Sequence, residues 1–409
     1  MEINIRRVGI GIGFLILLFL MIDELLIGSN ILKTLLKHID EAAIIVCLFY
    51  IALNIRRIIA DKFILVLLWL SFLFIGAISS FMFNYQSLIY GLIDALALTS
   101  KFIWGYCAVY IYAKKTSKNI LEAMDGVARI LAVLLFVLTI HDLLFEPFFT
   151  KSDFRYFTES IKLMFPHTTY LTAASATLLI LLGYRNTKNR NLVYMFMITF
   201  VGIMTLRSKA LGYFAVYWLL YIFFVVLKNR HYLLVIGGGG LGAVVLVWDS
   251  ISRNFFSELY SPRDILLRDG IKLAVEHFPF GTGYGTFGSF MAADHYSPLY
   301  TRLGYENYFG MGPTDSQFLT DCFWPAVVAQ YGFIGTIIFV LVIGLFLYWS
   351  ITKMKTSINS GFAMLMILLY CFITSLAESS FFNPASMLMF MLFAAFEADK
   401  QDKREIYVR

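Results

Sequence analysis

Residues 63–83 read FILVLLWLSFLFIGAISSFMF and contain no charged side chain. A helix crosses the hydrocarbon core of a bilayer with about 20 apolar residues, so this stretch is long enough to span it. Similar stretches recur along the chain, in which 59% of the residues are hydrophobic and 15% are charged. Soluble domains carry roughly a quarter charged residues. The sequence therefore predicts an all-α polytopic membrane protein.

Twelve such stretches are predicted to cross the membrane as one transmembrane domain that comprises residues 1–409. They are residues 8–28, 39–55, 63–83, 88–112, 120–144, 167–183, 191–207, 210–227, 232–249, 326–350, 361–381 and 384–397. The first stretch contains Asp23 and Glu24 and is not followed by a small-residue cleavage site. We interpret it as a retained helix and not as a removed signal peptide.

Lysine and arginine are concentrated in alternate connections between these stretches. Short loops that are rich in such residues are retained in the cytoplasm, so both termini, including the tail 398–409, are predicted to be cytoplasmic. The basic residues assigned to this side include Arg6, Arg7, Arg56, Arg57, Lys62, Lys114, Arg185, Arg190, Lys228 and Lys353. This topology explains the net charge of +6, which is therefore no indication of nucleic-acid binding.

Two segments on the opposite, outward side are longer than a connection requires: residues 145–166 and residues 250–325. The second contains EHFPFGTGYGTFGS, residues 276–289, and so the pattern G-x-G-x-x-G from Gly283 to Gly288. A dinucleotide loop has this pattern between a strand and a helix. Here a helix that starts after Ser261 is predicted to precede it, so we expect a turn that uses the glycines for positive φ.

The segment RDILLRDGIKLAVEHFPFGTGYGTF, residues 263–287, resembles the outer-loop signature of the O-antigen polymerase/ligase superfamily. TLRSKALGYF (205–214), DSQFLTDCFWPAVVAQYGFIG (315–335) and, more loosely, FRYFTESIKLMFPHTTYLTAAS (154–175) resemble three further segments of that family. The resemblance implies a GT-C-like membrane glycosyltransferase, with an amphipathic helix in the large outer loop between spans 9 and 10.

The resemblance also implies an activity. A repeat-unit polymerase of the Wzy type would transfer a glycan from undecaprenyl pyrophosphate to a lipid-linked repeat unit, with no metal and no other cofactor. Such enzymes contribute to O-antigen, capsule or exopolysaccharide synthesis at the bacterial cytoplasmic membrane, with an active site that faces outward. A chain-length regulator and a flippase are the implied protein partners.

The chain departs from the family pattern at two positions. Arg207, Ser208 and Lys209 stand where the family has Ser-Arg, so either cation could take the place of the arginine. Asp315 and Ser316 stand where ligases have histidine and asparagine, which favours a polymerase over a ligase.

A departing pyrophosphate gains negative charge, which fixed cations can stabilise. Arg207 and Arg263 are the predicted catalytic cations, and Lys209 and Arg268 are predicted to bind the substrate. The residues also allow purely structural roles. Arg207 and Lys209 could extend towards the interface from a helix end, and Arg268 could pair with Asp264 on a solvated helix face.

A general base would assist the attacking sugar hydroxyl, and Asp315 is the predicted base. It could instead cap the helix that follows it. Glu276 and His277 are further candidates for substrate binding. Lys101, seven residues after Asp94, could form a structural ion pair or bind the lipid pyrophosphate. Arg155 and His167 belong to the loosest family match and are expected in the same chamber.

A lipid-linked-sugar transporter is the rival from another class, because it would also have many spans and buried charges. Transporters of this kind are built from internal repeats with interrupted helices. The sequence shows no such symmetry, and the loop 250–325 is longer than an alternating-access mechanism requires.

Overall fold

A computed structural model describes residues 39–399, except residues 146, 150, 157, 187–188 and 229–260. The predicted spans 8–28 and 232–249 lie outside the described residues, as do residues 400–409 of the tail and the first part of the large outer loop. In the described part the chain is mainly helical.

The helices follow the predicted spans closely. They are α1 (Ile39–Leu53), α2 (Ile55–Phe83), α3 (Leu88–Leu92), α4 (Lys101–Leu144), α5 (Thr168–Tyr184), α6 (Leu192–Ile203), α7 (Ser208–Tyr221), α8 (Pro262–Glu276), α9 (Phe290–Asp294), α10 (Pro298–Arg302), α11 (Phe323–Thr356), α12 (Ile358–Ser375) and α13 (Pro384–Ala398). Two π-helical segments, Ile93–Thr99 and Ile222–Val226, follow α3 and α7, and short 3₁₀ turns occur at Tyr305–Asn307 and Ser380–Phe382. Strands β1 (Phe154–Arg155) and β2 (Thr158–Glu159) form an antiparallel hairpin.

Among the residues that the structure describes, five helical segments are long and apolar enough to cross a membrane, or six if one bent pair counts as a single span. The five are Ile55–Phe83, Ile120–Leu144, Ser208–Val226, Phe323–Thr356 and Ile358–Ser375; the bent pair is Leu88–Thr99 with Lys101–Lys114, at 48°. Four shorter apolar helices accompany them: Glu41–Leu53, Thr168–Tyr184, Leu192–Ile203 and Pro384–Ala398. The prediction of a multi-pass, all-α membrane protein is confirmed.

One end of the helix bundle is held by polar contacts between basic residues and the end of α13. Lys62 pairs with Glu397, and the Lys353 ammonium donates to the carbonyl oxygens of Glu397 and Asp399 at 2.7 Å. The Asp399 carboxylate accepts a hydrogen bond from Tyr184 at 2.5 Å. We call this the basic end, defined by Lys62, Lys114, Arg185, Arg190 and Lys353.

The helical run α4 changes direction along its course. Lys114 pairs with Asp61 at the basic end. Eleven residues later, Asp125 accepts a hydrogen bond from Arg190 at 3.0 Å, again at the basic end. A straight helix would carry 11 residues about 16 Å along its axis, so the part of α4 after Asp125 runs back from this end. The two parts therefore correspond to the predicted spans 88–112 and 120–144.

The other end of the bundle carries residues 261–322, which have their own small hydrophobic core; we call them the outer-loop domain after the loop 250–325 predicted from the sequence. Leu266 and Leu273 of the amphipathic helix α8 pack there with Phe287, Tyr300 and Tyr305. The predicted start of α8 is confirmed, because the helix follows Ser261 and has proline in its first turn. Packing thus explains these three aromatic side chains, whereas Phe278 and Phe309 of the same segment are 71% and 73% exposed.

The glycine-rich turn fixes this domain to a break in α11. The amides of Thr282 and Gly283 donate to the carbonyl oxygens of Ala329 and Gln330 at 2.8 and 2.9 Å. Gly332 interrupts the helix with φ 61° and ψ −165°. The G-x-G-x-x-G pattern therefore serves to let two backbones approach each other, and the turn follows a helix as expected.

The same turn reaches the bend between α3 and α4. The Gly285 amide donates to the Gln330 side-chain oxygen at 2.9 Å and to the Asp94 carboxylate at 3.2 Å. Asp94 is fully buried in the π-helical segment. The buried carboxylate is therefore engaged by the outer-loop domain.

We predict that Gly332→Ala lowers the free energy of unfolding by about 1–3 kcal/mol, because only glycine adopts this backbone conformation without strain. An ideal Cβ at Gly332 would also lie 2.4 Å from the carbonyl oxygen of Pro279. The measurement is denaturant unfolding of the purified protein in detergent. The control is Gly344→Ala in the same helix, where a Cβ would have no neighbour within 4 Å. Equal unfolding midpoints for the two variants would contradict the assigned role of Gly332.

Candidate functional site

A polar cavity of about 680 Å³ lies between the outer-loop domain and the adjoining ends of the helix bundle. It is at the end opposite to the basic end, because its lining includes Asp321, two residues before α11 starts, whereas Lys353 lies in the last turn of α11. The charged residues and the histidine that line it are Arg155, Arg207, Lys209, Arg263, Asp153, Asp321, Glu378 and His167.

The starts of three helices deliver these side chains to the cavity. His167 and Arg207 are the residues that immediately precede α5 and α7, and Arg263 is the second residue of α8. Helix starts carry partial positive charge and unpaired amide donors, which favour anions. Arg155 comes from β1, whose hairpin is held to α7 by a 3.2 Å contact between Tyr156 and Ser208 hydroxyls.

Arg207 is fixed in position by neutral acceptors. Its Nε donates to the Thr168 hydroxyl at 2.6 Å, and its Nη2 lies 3.0 Å from His167 Nε2. Because arginine can only donate, Nε2 is the acceptor in this contact, and the other ring nitrogen, Nδ1, lies 3.0 Å from the Thr169 hydroxyl and 3.3 Å from the Thr169 amide nitrogen. The Asp153 carboxylate lies further away, 3.9 Å from Arg207. Arg207 is thus oriented without being neutralised at close range.

The pKa of His167 is lowered to about 4 by partial burial and then by the neighbouring cations Arg207 and Lys209, while Asp153 raises it. The ring is exposed to solvent inside the cavity. The ring therefore keeps part of its hydration, and we attribute the lowered pKa mainly to the adjacent positive charges. His167 is neutral at neutral pH, as its acceptor role towards Arg207 requires.

The other two cations at the centre of the cavity are in ion pairs. Lys209 Nζ lies 2.8 Å from the Glu378 carboxylate, and Arg263 Nη2 lies 3.0 Å from Asp321. Burial raises the pKa of Asp321, against the opposing effects of Arg263 and Lys209. The Ser379 hydroxyl donates to the Thr320 carbonyl at 2.7 Å, which holds the two acidic segments together.

The lining residues carry four fixed positive charges and three carboxylates, which leaves one positive charge when His167 is neutral. The arrangement can therefore bind an anion with several oxygens, provided that the carboxylates yield some of their contacts. A cavity of this volume is within the range of small-molecule sites, roughly 300–1,000 Å³.

The structure brings together five of the predicted site residues: Arg155, His167, Arg207, Lys209 and Arg263. They come from segments that are up to about a hundred positions apart in the sequence. The expected convergence of cations from α7 and the outer loop is therefore present, and their catalytic role remains a prediction.

Three other predicted site residues lie elsewhere in the outer-loop domain. Arg268 pairs with Asp264 on the same helix, as the solvated-face alternative predicts, and its side chain is 73% exposed. Glu276 pairs with Arg302 at 2.7 Å. His277 is buried between the Tyr85 hydroxyl at 3.0 Å and the Leu273 carbonyl at 2.8 Å, where it joins the loop to the bundle.

Asp315 and Lys101 are also outside the residues that line the cavity. Asp315 does not cap the helix that follows it, because α11 begins only at Phe323, after Cys322. Its carboxylate is 3.5 Å from the Gln317 amide nitrogen, and it is Gln317 that reaches the cavity wall. Lys101 is buried at the first turn of α4.

Sequence reasoning missed the three acidic residues of the cavity. Asp321 lies within the family-like segment 315–335, and Asp153 directly precedes the segment 154–175. Glu378 belongs to none of these segments. A search for acidic residues near the predicted outward ends of spans could have identified it, because carboxylates there would share the space of the predicted cations.

Comparison with models of known protein families gives no match for this chain, and comparison with curated proteins gives none either. In the part of the chain that the structure describes, His, Cys, Asp and Glu form no group of three or more that could hold a metal ion. The function of this chain must therefore be inferred from the geometry of the cavity.

We predict that His167 stays neutral down to about pH 5 and takes up a proton only near pH 4. Its folded-state pKa is below its ordinary value of 6.5, so its contribution to stability is lost as pH falls from 6.5 towards 4. Histidine NMR measures this, with His167→Gln to assign the signal. Arg207→Gln should raise the pKa, and Arg302→Gln, outside the cavity, should not. Titration of His167 near pH 6.5 in the unmodified protein would contradict the proposed environment.

Proposed function

We propose that this chain is a membrane glycan polymerase that uses a polyprenyl-pyrophosphate-linked glycan as donor. The growing chain on undecaprenyl pyrophosphate is transferred to the distal sugar of an incoming lipid-linked repeat unit, and undecaprenyl pyrophosphate leaves. One observation carries the proposal: Arg207, Lys209 and Arg263 face one polar cavity at the starts of α7 and α8. This is the arrangement that a departing diphosphate needs.

Arginine and lysine contact phosphate oxygens differently, so each cation has its own proposed role. Arginine makes planar, two-pronged contacts to phosphate oxygens and stays charged at any working pH, whereas lysine acts as a point charge. Arg207 and Arg263 would hold the diphosphate oxygens from two sides, and Lys209 would add a third charge between them. Fixed donors directed at developing charge lower the barrier without further reorganisation.

The proposal includes a GT-C-like architecture with twelve spans, in which residues 145–166 and 250–325 are outward loops. The basic end supports this orientation, because Lys62, Lys114, Arg185, Arg190 and Lys353 lie together there, as the positive-inside rule requires of a cytoplasmic side. The cavity would then face outward from a bacterial cytoplasmic membrane, where lipid-linked repeat units are polymerised into O-antigen, capsule or exopolysaccharide.

The transporter alternative has one observation in its favour, since transporters use interrupted helices and the described part of this chain has two interruptions beside the glycine-rich turn. One interruption is the 48° bend after α3, and the other is at Gly332 in α11. The glycine-rich turn contacts both: Gly285 donates to Asp94 at the first interruption, and Gly281 packs against Gly332 at the second. The interruptions therefore serve to hold the outer-loop domain, and the polymerase remains the better explanation.

The test is a transfer assay with purified protein and a lipid-linked repeat unit, in which a polymerase should give a ladder of chain lengths. We expect Arg207→Ala and Arg263→Ala to lower the initial rate by about 10²–10³, because each removes a group that stabilises the leaving diphosphate.

The matched control is Arg302→Ala, an arginine of the same domain that pairs with Glu276 outside the cavity. It should retain the rate of the unmodified protein. A single product on a different acceptor would identify a ligase instead. Normal ladders from both cavity variants would exclude the proposed site.

A further inference from the structure

The cavity contains two ion pairs, and they differ in which parts of the structure they connect. Asp321 lies one residue before the residue that caps α11, and its pair with Arg263 ties α8 to α11. Glu378 lies in the turn after α12 and makes a 2.8 Å pair with Lys209 of α7. Both members of the Asp321 pair belong to the outer-loop domain, where they hold its first helix against the segment that enters α11, whereas the Glu378 pair joins two elements within the bundle.

The backbone around Glu378 is held firmly while its side chain extends into the cavity. The Ser379 hydroxyl donates to the Thr320 carbonyl at 2.7 Å, and the Ser380 amide donates to the Glu378 carbonyl at 2.7 Å. Only 17% of the Glu378 side chain and 13% of the Lys209 side chain are exposed. A buried charge of this kind needs a partner, because removing one member leaves the other uncompensated.

A diphosphate bound in the same cavity would compete for Lys209. Its oxygens carry more negative charge than one carboxylate and can contact Arg207 and Arg263 at the same time. The carboxylate of Glu378 would be repelled by the bound diphosphate and would lose its partner. It would then be an uncompensated base inside the cavity, beside the leaving group.

We propose that Glu378 has two roles in succession: it is the counterion of Lys209 until the donor binds, and then the general base that accepts the proton of the acceptor hydroxyl. This inference rests on the proposed function. Binding of the donor diphosphate to Lys209 releases the Glu378 carboxylate, so the base becomes active only when the donor is in place.

The step balances as follows. The acceptor hydroxyl oxygen forms a bond to the anomeric carbon of the donor sugar while the bond from that carbon to the phosphate oxygen breaks. The bonding electron pair stays on the leaving diphosphate, next to Arg207, Lys209 and Arg263. The hydroxyl proton moves to the Glu378 carboxylate and then to solvent. No oxidant, reductant or further reactant is needed.

Glu378→Gln separates the two roles because it removes both the competing charge and the base. Inorganic pyrophosphate should bind this variant about tenfold more tightly than the unmodified protein, since a like-charge repulsion is removed. The kcat for glycan transfer should fall by about 10²–10⁴, the usual contribution of a general base. A purely structural role would not strengthen the binding of pyrophosphate.

The experiment measures pyrophosphate binding by calorimetry and transfer kinetics on the same preparations. Glu378→Asp keeps the charge, so it should bind pyrophosphate like the unmodified protein and retain part of the kcat; this variant tests the inference if Glu378→Gln does not fold. Glu306→Gln, at an exposed glutamate of the outer-loop domain that does not line the cavity, should change neither quantity.

Weaker pyrophosphate binding by Glu378→Gln, or an undiminished kcat, would overturn the inference and leave the proposed function standing. The inference would also be overturned if Asp321→Asn bound pyrophosphate more tightly and had a lower kcat while Glu378→Gln showed neither change. Asp321 would then be the base. If the unmodified protein binds no pyrophosphate and gives no ladder of chain lengths from a lipid-linked repeat unit, the proposed function itself fails, and this inference with it.

Discussion

The contact between the glycine-rich turn and the broken helix α11 is the constraint on which the outer half of the molecule depends. Gly281 and Gly332 face each other so closely that a Cβ on Gly281 would lie 2.4 Å from the Gly332 amide nitrogen. No side chain separates the two backbones, so the contact tolerates little displacement. It fixes the end of α8, and the pair between Arg263 and Asp321 fixes the start. The position of Arg263 in the cavity is therefore set at both ends of one helix.

The two ends of the bundle use buried ion pairs in different ways. At the basic end, Lys62 is enclosed by Glu397 and by the rings of Trp349 and Tyr110, with its ammonium 3.5 and 4.3 Å from the ring centres. Lys62 is buried and its ammonium has a carboxylate and two aromatic rings as partners, which is the arrangement that a permanent structural pair requires. At the other end, Lys209 and Glu378 border a cavity of about 680 Å³. The space beside the pair allows a ligand to exchange with the carboxylate.

Local patterns in the sequence were enough to predict the helices, because apolar length and proline position act within one segment. The predicted span 384–397 matches α13 (Pro384–Ala398), and Ser261 precedes α8 as expected. The cations of the cavity were predictable from their positions at helix ends and from the family resemblance. Pairings between distant segments were not. Nothing near Asp315 in the sequence shows that α11 starts at Phe323, and nothing near Glu378 shows that Lys209 is its partner.

The acidic residues of the cavity resolve a conflict between folding and binding. Four cations in a partly dehydrated space repel one another, and each would be costly to bury alone. Paired carboxylates lower the cost of burying the cations, but they also repel an anion that would bind to the same cations. A counterion that a ligand can displace satisfies both requirements, provided that its new position is useful. Asp321 is committed to holding α8 against α11, and Asp153 is largely solvated, with a side chain that is 66% exposed. Of the three carboxylates in the described cavity, Glu378 alone is both shielded and outside the outer-loop domain, so its displacement leaves the pair that holds α8 in place.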